Sequence, residues 1–182
     1  MMSYSKGEIA KNILLGIAGV GAVALVVALP GIAMISLLFP KEDSRAKFRV
    51  DRSLKSLEKN KYVRRYKKNG EDVIEITKKG KRRILQYKFE DMKIGKPKKW
   101  DGLWRIVIFD IPEKKRNARI ALNMKLKELE FYPLQKSVFV LPYECRSEIE
   151  FIGEFFGIKS GILYIEARNI EKESKLKRKF KL

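Results

Sequence analysis

Polarity along the chain changes abruptly. From Ile13 to Phe39 no charged residue interrupts 27 consecutive positions, and beyond Lys41 apolar residues return at helical or alternating spacing within a heavily charged background. A charge-free run of that length exceeds the roughly 18–20 residues that cross a bilayer as a helix. Residues 1–40 therefore read as an apolar helical segment, a transmembrane helix that anchors the protein with its basic remainder on the cytoplasmic side. A competing reading breaks the run at Pro30-Gly31 into buried helices at 7–29 and 31–39, because proline removes a helix hydrogen bond and clashes one turn back. Helix 31–39 would offer Ser36 as its one polar side chain, so something apolar has to cover it, and lipid is the expected cover.

Within 44–59, Val50, Leu54 and Leu57 recur at i, i+4 and i+7 and define one apolar helix face, with Lys47, Arg52, Lys55 and Lys59 mostly off it. Residues 62–76 alternate and turn at Asn69-Gly70, the pattern of a two-stranded hairpin whose first arm carries Arg64, Arg65, Lys67 and Lys68. Thr77 supplies a cap for a helix opening at Lys78. After a Gly-, Pro- and Lys-rich break at 93–99, Leu103 to Phe109 reads as a buried strand. A helix follows with Leu122, Leu126 and Leu129 on one stripe, then strand material at 132–141 divided near Gln135-Lys136. A second helix presents Cys145, Ile149, Ile152 and Phe156, and Ile162–Ala167 forms a last strand. Strand, helix, two strands, helix, strand is the split βαβ order of a ferredoxin-like (βαββαβ) domain. The expected class is α+β, with a basic module at 41–92, a linker at 93–101, the ferredoxin-like module at 102–170 and a basic tail at 171–182.

A length of 182 residues accommodates two small modules. Lys and Arg number 41 against 22 Asp and Glu, a net charge of +19, which favours a polyanionic partner. Residues 41–100 hold most of it, 22 basic against 9 acidic, whereas 101–170 hold 11 against 10. The absence of histidine excludes Ser-His-Asp and Cys-His catalysis and His-ligated zinc. Cys145, the single cysteine, excludes an intramolecular disulfide and reads as a small buried thiol.

Helix, basic hairpin and closing helix over 44–85 resemble a winged helix, in which helix 44–59 enters the major groove and the hairpin lies along the backbone. That resemblance implies binding to double-stranded DNA. Lys47, Lys55, Arg64, Arg65, Lys67 and Lys68 are then phosphate ligands, whose neutralising charge gives affinity without choosing a sequence. Arg49 and Arg52 are the candidates for base readout, because arginine pairs bidentately with guanine. The plainer account is that these charges solvate a surface helix, and their clustering argues against it.

In the second module, Phe109-Asp110-Ile111-Pro112-Glu113, Arg116, Arg119, Phe131 and Leu134-Gln135-Lys136-Ser137-Val138-Phe139 resemble CRISPR-associated protein two, especially the version inside PaaX-type transcriptional regulators. Those regulators also place a winged helix before that domain, so the resemblance covers about 44–170. It implies a DNA-binding transcriptional regulator that forms a homodimer through its ferredoxin-like domain and requires no cofactor. The alternative is a metal-dependent endonuclease or CRISPR-adaptation component. There the resemblance makes Asp110, at the end of the first strand, the catalytic and Mg²⁺-binding residue. Against that role, Asp110 is placed to cap the helix that begins at Ile111-Pro112 and to contact Arg116 or Arg119. A third reading sets the basic surface against anionic lipid, with residues 13–39 in the membrane.

Overall fold

A computed structural model describes residues 6–19, 25–26 and 44–182, and the chain divides into two units, Met1–Glu90 and Asp91–Leu182. Unit 1 contains α1 (Lys6–Gly19), the two-residue strand β1 (Leu25–Val26), α2 (Ser44–Lys59), the hairpin β2 (Val63–Lys68) and β3 (Glu71–Ile76), and α3 (Lys78–Glu90). Its strands form an antiparallel sheet in the order β1-β3-β2, with Leu25 opposite Ile74 and Val26 opposite Val73.

The transmembrane reading is corrected by this unit. Among the described residues no helix is long and apolar enough to cross a membrane. The helix α1 has 14 residues, about 21 Å at 1.5 Å per residue against a hydrocarbon core of about 30 Å. Its described residues end at Gly19, and Leu25–Val26 is a strand, which also shortens the alternative helix at 7–29. The apolar residues of α1 face protein: Ile9, Ile13, Leu14 and Ile17 form one buried cluster with Val50, Leu54 and Leu57 of α2, Val63 and Ile84. Hydropathy does not distinguish burial in lipid from burial in a core, and here the apolar stripe of α1 fills the space between α2 and α3. Residues 27–39, with the Pro30-Gly31 break and the expected helix at 31–39, lie outside the described residues.

Local chemistry accounts for the rest of unit 1. Asn69 and Gly70 both take positive φ, 53° and 82°, the conformation of a tight turn whose twist matches its strands. Thr77 staples the base of the hairpin. Its hydroxyl donates to the Lys61 carbonyl at 2.6 Å and accepts from the Gly80 amide at 3.0 Å, while its own amide donates to the Tyr62 carbonyl at 3.0 Å. The backbone of Gly80 sits so close that a Cβ there would lie 2.0 Å from the Tyr62 oxygen.

Unit 2 runs β4 (Trp104–Phe109), a 3₁₀ turn (Glu113–Lys115), α4 (Arg116–Glu128), β5 (Tyr132–Gln135), β6 (Val138–Leu141), α5 (Arg146–Phe155), a second 3₁₀ turn (Lys159–Gly161), β7 (Ile162–Ala167) and α6 (Glu173–Phe180). Its four strands pair antiparallel in the order β5-β6-β4-β7. Alternation along β4 separates two faces. Arg105, Val107 and Phe109, with Phe139 and Leu141 opposite them, are buried. Leu122 and Leu126 of α4 and Ile149 and Ile152 of α5 are buried as well, the stripes that cover one sheet face in a two-layer fold.

On the other face, Trp104 and Val140 are buried with Leu176 of α6, and Trp100, Ile106, Tyr132 and Phe180 pack around them. The Trp104 indole donates to Glu173 at 3.2 Å. The remainder of that face is an apolar row. Ile108 stands between Val138 and Leu163, and Ile106 stands beside Ile165. Leu163 is 55% and Ile165 36% exposed.

Candidate nucleic-acid interface

Buried positions fix how α2 is turned. Val50, Ser53, Leu54 and Leu57 point inward, so at about 100° per residue the outward line passes through Phe48, Arg52, Lys55 and Lys59, all exposed. Arg49 is exposed on the flank of that line, and the Lys47 side chain lies outside the described residues. Lys55 is engaged with Asp51 at 2.7 Å across one turn. An exposed pair of this kind is worth only about 0.3–0.5 kcal/mol, so a phosphate readily exchanges with the carboxylate.

The hairpin arm β2 lies at the edge of its sheet and buries Val63 alone. Arg64 and Arg65 serve the fold as well as the surface. The Arg64 Nε donates to Glu75 at 2.7 Å on the neighbouring strand. The Arg65 Nη2 donates to Glu58 at 2.7 Å and ties β2 to α2. Lys67 and Lys68 are exposed near the turn, in register with Asp72 and Glu71. Among the described residues Arg52, Lys67 and Lys68 make no ion pair, and neither do the exposed Lys59, Lys61, Lys78, Lys81 and Arg82.

The basic run that opens α3 is visible in the sequence, yet nothing in the spacing assigns it a role. Lys78, Lys79, Lys81 and Arg82 are exposed there. The Lys79 ammonium lies 5.1 Å from the centre of the Tyr62 ring, and the Arg83 guanidinium lies 4.3 Å from that of Tyr87. Cation–aromatic contacts of this kind hold long side chains against the surface. Unit 1 carries 20 basic against 9 acidic residues and unit 2 carries 21 against 13. The second unit is thus also basic, because Lys93–Lys99 and α6 belong to it.

Asp110 is exposed at the end of β4. Its amide donates to the Gly161 carbonyl at 2.9 Å, but neither the 3₁₀ turn after it nor α4 has a side-chain cap hydrogen bond. The expected cap is therefore corrected: the first helical residue is Glu113, too far along the chain for Asp110 to cap. The expected arginine contact falls to Glu113, which receives Arg119 at 2.8 Å and Arg116 at 3.7 Å. Among the described residues no three acidic or cysteine side chains come together as a metal-holding group, and Asp110 belongs to none.

Residues 97–178, from before β4 into α6, match the family described as PaaX protein central Cas2-like domain. The match spans less than half of the chain. No curated protein gives a match.

Proposed function

We propose that the protein is a DNA-binding transcriptional regulator of the PaaX kind, in which unit 1 is a winged helix and unit 2 a ferredoxin-like domain that dimerises. The match at 97–178 to the PaaX Cas2-like domain carries this reading. Support from unit 1 is the order helix, short strand, helix, hairpin with a β1-β3-β2 sheet, and a basic outward line on α2 beside a basic edge arm. In unit 2 the order β5-β6-β4-β7 is that of a ferredoxin-like sheet, and its apolar outer row of Leu163, Ile165, Ile108 and Val138 suits the same row of a second copy. Two copies related by a two-fold axis would present two α2 helices to a two-fold DNA site. The Cas2-like match is also compatible with the nuclease alternative, and the lack of a three-ligand carboxylate cluster among the described residues weakens it.

The test is binding to random-sequence duplex DNA across a salt series. We expect log K to fall linearly with log salt, and the charge reversals Arg52→Glu, Lys67→Glu and Lys68→Glu each to flatten the slope by about 0.9 for every phosphate that is no longer neutralised. Unchanged affinity in the triple variant, with the fold intact by circular dichroism, overturns the reading. Mg²⁺-dependent cleavage that disappears in Asp110→Asn would put the nuclease in its place.

A further inference from the structure

Phe48 is the most exposed large apolar side chain among those described, at 68%. Single exposed apolar residues are common and by themselves say little. The setting of this one is specific. It stands almost diametrically opposite the buried Val50, Ser53, Leu54 and Leu57, so the core that the described residues of unit 1 form gives it no reason to be apolar. It also heads the line that continues with Arg52, Lys55 and Lys59 at i+4, i+7 and i+11. The three cations complement phosphate; the ring does not. A ring in that line gains only from an apolar group on the same polyanion. The apolar group that duplex DNA offers in its major groove is the C5-methyl of thymine.

Spacing agrees with this assignment. From Phe48 to Lys55 the helix rises about 10 Å, close to three base-pair steps at about 3.4 Å each. A ring near the start of α2, beside the base-readout candidate Arg52, can therefore meet a base edge while Lys55 and Lys59 meet backbone. We infer that Phe48 is a specificity-determining residue that reads a thymine methyl in the major groove, an inference that rests on the DNA-binding reading above.

The test uses the full chain and two duplexes of identical alternating sequence, one of A·T and one of A·U pairs, which differ by the methyl groups alone. Affinities are measured by fluorescence anisotropy over a salt series for the wild type and for Phe48→Ala. The wild type is expected to favour the thymine duplex about fourfold, the worth of one buried methyl. Phe48→Ala is expected to bind both duplexes equally, with the wild-type salt slope and, since the ring is exposed, the wild-type melting temperature. Equal binding of both duplexes by the wild type, or discrimination retained in Phe48→Ala, overturns the inference while leaving salt-dependent binding in place. An equal loss of affinity for both duplexes in the variant would show the ring acting as a wedge between base steps, and overturns it too. Absence of any salt-dependent binding by the wild type removes the DNA-binding reading and this inference together.

Discussion

Arg105 is the buried cation that organises one end of unit 2, at 4% exposed. Its Nη1 and Nη2 donate to the two Asp101 carboxylate oxygens at 2.7 and 2.5 Å. They also reach the carbonyls of Leu103 and Pro142 and the Glu144 carboxylate. Its Nε has no partner among the described residues, so replacing a bonded neighbour would deepen an existing deficit. The Arg105 guanidinium holds the Asp101 carboxyl down at about 2. A depressed carboxyl stabilises the fold above its unfolded value of about 3.9 and loses that contribution as pH falls toward 2. The Asp101 side chain is half exposed, and solvent screening reduces the contribution to about 1 kcal/mol. Asp101→Asn should therefore unfold about 1 kcal/mol more easily in urea at neutral pH, and the difference from wild type should close between about pH 4 and pH 2. A difference that persists at the acid end would mean that shape, not charge, does the work. Little of this cluster is legible in the sequence. Asp101 and Arg105 sit four apart, but Glu144 and the Pro142 carbonyl arrive from a different strand end. Asp110 shows the same limit: spacing does not reveal that a 3₁₀ turn hands Arg116 and Arg119 to Glu113 instead.

Elements whose signal is local are readable. In α2, the hairpin and the Thr77 start of α3, periodicity, an Asn-Gly turn and a cap act within a few residues, and they lie where the spacing puts them. The helix α1 escapes a hydropathy reading because a charge-free run records only that water is avoided. Charge makes α6 look like a tail, although Leu176 and Phe180, one turn apart, form the stripe that docks on Trp104. That docking leaves the rest of the outer sheet face to Leu163, Ile165 and their neighbours, and the dimer reading depends on it. Leu163→Lys with Ile165→Glu should turn a dimer into a monomer by sedimentation, with little change in the melting temperature because both side chains are exposed. A wild-type monomer at micromolar concentration would remove this face as the contact.

At the scale of the molecule, the two units differ in which spectroscopic signals they carry. The chain has two tryptophans, and both stand in unit 2, where their rings lie 4.9 Å apart at the α6 contact. Tryptophan emission therefore reports on that unit, whereas far-ultraviolet dichroism sums the helices of both. Two optical probes that disagree during denaturation reveal separate transitions, and a defect confined to unit 1 should make them disagree. Gly80→Ala supplies one: the added methyl collides with the Tyr62 carbonyl, a close backbone contact that should cost about 3 kcal/mol. The dichroic transition should split or shift to lower denaturant while the emission midpoint stays in place. If both midpoints move together, the chain unfolds as one cooperative block. Because the indole of Trp104 is buried beneath a helix only eight residues long, its emission maximum is also a ready gauge of α6 lifting, and would redden before the sheet itself melts.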